Sequence, residues 1–573
     1  MTSASATSRR EFLVLASLSG AALVLQSCRS PLPPDATGAA AAAGAFRPDL
    51  WLSILPDGSV EFAVTRLEMG QGIRTGLTIL VAEELAMAPE RIRLRSPTTA
   101  ELPEAGVILE TGSSDSTSDH WVPLREAAAA AREMLVAAAA ARWQVEPGAC
   151  ALVDGRVVHR DGARDVRGVR GVRSIGIGEL AAEAARLPVP KHPRPREAGE
   201  PSEFRFIGKP TRRLEGPEIV TGKPRFAADV RLENQLYAVL CRPPVTGGRA
   251  RGFDPAPALA VPGVRHVVAV DSSWAVVAGD TWSALRGREA LAIEWEDGPA
   301  AEFSSAAFGR GLDEALTVET SAGAYQRPVG EQARAIVVTP GTDDLPAMPT
   351  ATPSLEARYS TGFQTHMPME PLNATARCDG DRCEIWVGHQ KPHEVVAAVA
   401  ARLGLAPDRV VVHPLPMGGG FGGREQAAFA VEAAVLAREM RGTPVQVFWT
   451  RADDLGHSTY HPASRHLLQG WLDAKGRLAA WRHRVASPSI EIQWGRSFHS
   501  VGKAEATGAW NLPYTCANVR VEYADLRVPV PLGFWRGVEI MFNNFAVESF
   551  IDELALQAGR DPLEFRLAHL GEA

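Results

Sequence analysis

Met417-Gly418-Gly419-Gly420-Phe421-Gly422-Gly423-Arg424-Glu425 places five glycines between two differently patterned stretches. Before it stands the apolar run Val410-Val411-Val412-His413-Pro414-Leu415, which reads as a short buried strand. After it, residues 426–440 carry apolar side chains at helical spacing. Glycine alone lets backbone amides press against a bulky anionic group with φ unrestricted, and a helix N-terminus adds a potential that favours phosphate. The loop is therefore a candidate seat for a large phosphorylated cofactor. Its Gly418-x-Gly420-x-x-Gly423 spacing also fits a dinucleotide fold. Asp453 or Asp454 would then have to bind the ribose, further downstream than the usual ~20 residues. A tight turn without a ligand is the third reading.

The N-terminus reads as a targeting segment. Ser8-Arg9-Arg10-Glu11-Phe12-Leu13 is a twin-arginine pattern, and the apolar stretch 13–25 behind it is short for a membrane span. That route exports folded proteins, which suits a cofactor inserted beforehand, so a periplasmic location is expected. Leu25-Gln26-Ser27-Cys28 partly resembles a lipoprotein box, leaving membrane association through Cys28 as the alternative to simple cleavage. The Pro- and Ala-rich segment behind it reads as a disordered tether.

The 573 residues have length for several cored domains. A net charge of −7 gives no basic footprint for nucleic acid. The six cysteines are scattered, with no Cys-x-x-Cys pair, so neither an iron–sulfur cluster nor a structural zinc is expected in this chain. Cys378 and Cys383 have the spacing to bridge a hairpin, but buried free thiols are the expectation. Any electrons must leave through a partner.

Two further loops share the layout of small polar residues before a helix. Glu68-Met69-Gly70-Gln71-Gly72 precedes a helix expected at 75–87. Thr111-Gly112-Ser113-Ser114-Asp115-Ser116-Thr117 precedes an alanine-rich helix expected at 124–143. Each offers amides and hydroxyls to an anion, although helix caps look the same. His366 and Glu370 have i,i+4 spacing, but Pro368 between them forbids the regular helix such ligation needs, so a packed loop histidine is expected. Strand and helix patterns alternate from 206 to 300, while 144–205 and 297–350 read as loop-rich.

Taken together, these islands resemble the molybdenum hydroxylases of the xanthine oxidase and aldehyde oxidase family. The Gly418–Glu425 stretch matches the pterin loop, and Gln390 stands where the family has a glutamine facing the metal's oxo group. Arg536-Gly537 matches the segment beside the pterin. Arg212 to Pro217, Thr221-Gly222 and Phe226-Ala227-Ala228-Asp229 resemble the opening of the α/β hammerhead domain. The Glu68–Gly72 and Ser114–Thr117 islands lie ahead of the glycine loop rather than behind it, which is similar to the isoquinoline oxidoreductase arrangement.

The resemblance implies a multidomain α+β subunit with a rearranged order of cofactor segments. Its parts would be an export signal (1–28), a linker (29–47), an N-terminal molybdopterin segment (48–200), a hammerhead domain (201–300), a linker or insertion (301–350) and a molybdopterin domain (351–573). Met69, Gly70, Gln71, Ser114, Ser116, Gly420, Phe421, Gly422 and Arg536 would hold the cofactor, with Gln390 and Glu425 at the reaction. The metal would be held by pterin sulfurs, in the cytosine dinucleotide form, with no metal-ligating side chains. The implied reaction oxidises an aldehyde or N-heteroaromatic with water as oxygen source. Electrons would pass to a small subunit with two [2Fe–2S] clusters, then to a cytochrome. The family's general base sits in a Gly-x-Gly-Glu segment near the C-terminus, and the expectation is that no such segment occurs anywhere in this chain. The remainder is therefore expected from a longer chain or another polypeptide; the alternative is a non-catalytic exported scaffold.

Overall fold

The computed structural model describes residues 51–102, 108–159, 173–197, 203–317, 348–495 and 504–570, with the backbone of 334–338. The twin-arginine pattern, the apolar stretch, Cys28 and the expected tether lie outside these residues. Among the described residues no helix is long and apolar enough to cross a membrane. The chain divides into two compact units, the first formed by Met1–Tyr237, Asn373–Gly419 and Ala427–Phe448.

Within the first unit, Leu52–Ile54 pairs antiparallel with Val60–Ala63, which pairs parallel with Ile92–Arg95. Alternation along the first two strands turns Leu52, Ile54, Val60 and Phe62 into a core closed by the helices Ile73–Leu85 and Ser116–Trp143. The long helix contributes Leu124, Ala128, Ala131, Leu135 and Ala138, a stripe at helical spacing whose small side chains allow close approach. This helix begins at Ser116, well before the expected 124, and it carries Pro123 in its second turn.

The loop-rich reading of 144–205 is corrected. Cys150–Val153, Arg156–His159 and Arg173–Gly176 form a three-stranded antiparallel sheet, followed by the helix Ile177–Ala184. The connecting strap is anchored by two carboxylates of the helix Ile73–Leu85. Fully buried Glu84 accepts the Arg196 N–H at 2.9 Å and the Arg125 guanidinium at 3.0 Å. Glu83 accepts the backbone N–H groups of Arg205 and Phe206.

The same unit carries the strands Val410–Pro414, Arg382–Val387, Asn373–Asp379 and Val445–Phe448, adjacent in that order. The helix Ala428–Glu439 packs on the strand Asn373–Asp379. Cys378 and Cys383 face each other across the hairpin and form a disulfide, against the expectation of free thiols. Their register decides this, since opposed positions on antiparallel strands bring side chains together.

The second unit comprises Ala238–Leu372, Gly420–Gln426 and Trp449–Ala573. It holds the hairpin Val264–Val270 with Ser273–Ala278, the pair Arg249–Asp254 with Ala292–Glu296, and the helix Thr281–Ala290. A five-stranded sheet runs in the order Arg334–Val338, Asn518–Asp525, Leu478–Ala486, Ser464–Leu472 and Leu355–Thr361. The helix Ile540–Gln557 covers it through Ala546, Val547, Phe550, Ile551 and Leu554 against Leu468 and Trp481. Where a linker was expected after residue 300, the helix Ser305–Ala315 forms instead, capped by Ser304. The α+β class expected from the sequence is the one observed.

Candidate functional site

In the first unit, four distant stretches of sequence are hydrogen-bonded into one cradle. The turn after Glu68 is built around that residue's own carboxylate, which accepts the N–H groups of Gly70 and Gly72, each at 2.9 Å, and that of Arg74 at 3.3 Å. Arg213 closes on the same carboxylate at 2.8 Å. Gln71 braces the turn, accepting the Met69 N–H at 2.8 Å and donating to the Leu67 carbonyl at 2.9 Å. Positive φ at Gly70 (104°) and Gly72 (81°) makes glycine necessary at both positions.

The Thr111 hydroxyl accepts the Leu67 N–H at 2.6 Å and donates to the Leu67 carbonyl at 3.1 Å. Thr111 and Gln390 are joined by two bonds: Thr111 N–H to the Gln390 carbonyl at 2.9 Å, and Gln390 Nε2 to the Thr111 carbonyl at 3.2 Å. Met417, the first residue of the glycine stretch, donates its N–H to the Glu68 carbonyl at 3.0 Å. Arg66 donates to the Glu110 carbonyl and to Asp119, both at 3.1 Å, which ties the serine loop to the same strand end. Beside it, burial and Arg66 hold the His120 imidazole neutral, at a pKa of about 4.

Ser113 and Ser114 both take the left-handed backbone conformation, with φ of 49° and 59°. For side chains other than glycine this costs free energy and is concentrated at functional loops. Ser116 starts the 28-residue helix, which no side chain caps. A Cβ at Gly70 or Gly72 would meet nothing within 4 Å, so the outer side of that turn lies open. The open face of the glycine turn, the left-handed serines and the uncapped helix start form one cradle, and the helix's first N–H groups suit a group carrying phosphate.

The glycine stretch is shared: Gly418 and Gly419 belong to the first unit, Gly420 to Gln426 to the second. In the second unit Phe421 is left-handed (φ 55°), and its carbonyl accepts the Arg536 N–H at 2.8 Å. A Cβ on Gly422 would run into the Phe534 carbonyl, and one on Gly423 would lie 2.9 Å from the His366 side chain. His366 Nε2 bonds the same Phe534 carbonyl at 2.7 Å. His366 is thus a packed loop histidine, as expected, and Glu370 pairs with fully buried Arg424 at 2.9 Å. Phe421, Gly422 and Arg536 come together here, with the Arg536 side chain exposed. Glu425 is half-buried in the turn Gly423–Glu425, and the following helix begins only at Ala428.

The dinucleotide reading fails at its ribose partner. Asp453 bonds Arg288 at 2.8 Å and closes a capping box with Thr450, while Asp454 pairs with Arg451. The carboxylates following Arg536 on the helix Ile540–Gln557 are engaged as well. Glu548 receives Tyr514 and Arg566, Asp552 receives Arg566, and Glu553 receives Tyr359. The expectation that no Gly-x-Gly-Glu segment occurs is corrected, and one buried carboxyl escaped the sequence reading. Gly176-Ile177-Gly178-Glu179 is a Gly-x-Gly-Glu segment, but Glu179 caps its own helix through the Gly176 N–H at 3.1 Å. Glu539, beside Gly537, is buried, and burial with Glu505 and Glu491 nearby raises its pKa to about 8, so it holds a proton at neutral pH. Burial of that kind leaves no signal in a single sequence.

Comparison with known proteins bears on the family. The profiles described as molybdopterin cofactor-binding domain match residues 331–570 and 20–204. The beta subunit of isoquinoline 1-oxidoreductase from Brevundimonas diminuta is 30% identical, over 98% of this chain and 75% of that protein. A nicotinate dehydrogenase subunit from Pseudomonas putida is 27% identical, over 96% of this chain and 45% of its own length. The chain thus spans three quarters of one relative and under half of the other. CO dehydrogenase from Oligotropha carboxidovorans shares the fold with a TM-score of 0.50 and 18% identity, over 64% of this chain and 50% of that one. With two matched cofactor-domain profiles and a relative aligned along 98% of this chain, the chain belongs to the xanthine oxidase family of molybdenum hydroxylases, as a molybdopterin-binding large subunit.

Proposed function

We propose that this subunit serves an exported enzyme that oxidises an N-heteroaromatic compound or an aldehyde, with water as oxygen source. The observation that carries this reading is the joining of the 66–72, 110–116, Gln390 and Met417 islands into one cradle. Molybdenum, held through a pterin in its cytosine dinucleotide form, would supply the hydroxylating and electron-accepting chemistry. The chain's own residues bind and orient. Gln390 presents a buried carboxamide whose plane is set by Thr111. The uncapped helix start at Ser116 receives anionic charge, and the open space beside Gly70 and Gly72 leaves room for the pterin. Phe421 excludes water, and Arg536 offers an exposed cation to substrate or cofactor oxygens. Glu425, half-buried in the same turn, orients the substrate.

A separate small subunit with two [2Fe–2S] clusters would take the electrons and pass them to a cytochrome. Two features support export: the twin-arginine pattern Ser8–Leu13, and the Cys378–Cys383 disulfide, which suits an oxidising compartment. The test begins with metal and pterin analysis of the purified full chain. Stoichiometric molybdenum supports the enzyme, and its absence favours a non-catalytic scaffold. Gln71→Ala and Phe421→Ala should each lower pterin content; wild-type content in both would remove these residues from the site. Product formed in ¹⁸O-labelled water should carry the label. Replacing Arg9 and Arg10 with Lys should retain the protein in the cytoplasm.

A further inference from the structure

Thr111 is buried, 3% exposed, and all of its polar groups reach distant parts of the chain. Its hydroxyl clamps both backbone groups of Leu67, and its N–H and carbonyl clamp Gln390. Next to Leu67, Glu68 uses its carbonyl to fix Met417 and its carboxylate to shape the Met69–Gly72 turn, while Arg213 holds that carboxylate at 2.8 Å. Every loop of the first unit assigned to the cofactor is therefore registered on these two residues, neither of which presents a free group to a ligand. A carboxamide such as that of Gln390 can act on a ligand only in one plane, and its Nε2–H bond to Thr111 fixes that plane.

We propose that Thr111 and Glu68 are positioning residues, which set Gln390 and the Met69–Gly72 turn in the geometry that retains the pterin. The inference rests on the cofactor reading above. In the full chain produced in a host that makes molybdopterin, Thr111→Val keeps the volume and removes the hydroxyl, while Thr111→Ser restores it. Pterin per folded protein, measured by fluorescence after acid release, should fall ~10-fold in Thr111→Val and return to within about 2-fold of wild type in Thr111→Ser, as for other outer-shell partners. A purely structural hydroxyl would lower the melting temperature and leave the pterin content of the folded fraction unchanged; that result overturns the proposal. If Thr111→Val does not fold, Glu68→Gln decides. It keeps the volume but weakens the hold on Gly70, Gly72 and Arg213, and a content equal to wild type overturns the proposal. Wild-type protein lacking pterin altogether would instead refute the cofactor reading itself.

Discussion

The two glycine loops look alike in sequence and differ in what surrounds them. The turn after Glu68 needs glycine for conformation: Gly70 and Gly72 have positive φ, and the space beside them is open. At the Gly422–Gly423 pair room is lacking as well: Gly422 also has positive φ (99°), but the Phe534 carbonyl presses on it, and the His366 side chain presses on Gly423. The first loop is organised by its own carboxylate and stays accessible to a ligand. The second is organised by neighbouring chain, and it brings Phe421, Phe534 and Arg536 together. A glycine-rich motif therefore states only that a side chain is forbidden; whether φ, crowding or both forbid it is a property of the surroundings.

The largest test of this contrast is Arg424→Met. It leaves Glu370 against the packed loop without its cation, and a loss of about 3–5 kcal/mol is expected in chemical unfolding. Gly422→Ala should follow, at about 3 kcal/mol or more, because the added methyl group meets a backbone carbonyl that cannot swing away. Gly70→Ala meets nothing and loses only through its backbone conformation, about 1–2 kcal/mol. Equal losses in the two alanine variants would erase the distinction between the loops.

Acid sharpens the comparison further. In the second unit, His466 and His483 are fully buried and hydrogen-bonded at 3.0 Å. Burial pushes the His466 pKa down to about 3, with Arg465 adding to it, and that of His461 to about 4. These imidazoles stay neutral in the fold and take protons when it opens. The unfolded state therefore binds more protons below pH 6.5, and the stability present above that pH is lost as pH falls toward the folded values. About 2 kcal/mol per buried imidazole should disappear between pH 6.5 and 5. Thermal melts across that range should show it, and His466→Gln should flatten the slope.

Much of the chain was legible because its signals are local. The strand at 410–414, the helix after the glycine loop and the strand Val264–Val270 follow from periodicity within a dozen residues. The failures arose where distance in sequence and proximity in space diverge. The stretches at 194–197 and 203–207 looked like linker because their anchors, Glu83 and Glu84, lie over a hundred residues away. The start of the long helix was placed at 124, where the alanine-rich run begins, although the helix already starts at Ser116 and carries Pro123 inside it.

By itself the sequence determined the family, through the order and content of its glycine, glutamine, serine and arginine islands, and with it the class of cofactor. Only the tertiary structure decided which groups are already engaged. Glu68 and Gln71 prove to be the internal braces of their turn, Glu548 and Asp552 are neutralised by Arg566, and Glu539 is left protonated. The reason is physical: a residue's type fixes what it can donate or accept, whereas burial and long-range hydrogen bonds fix what remains available to a ligand.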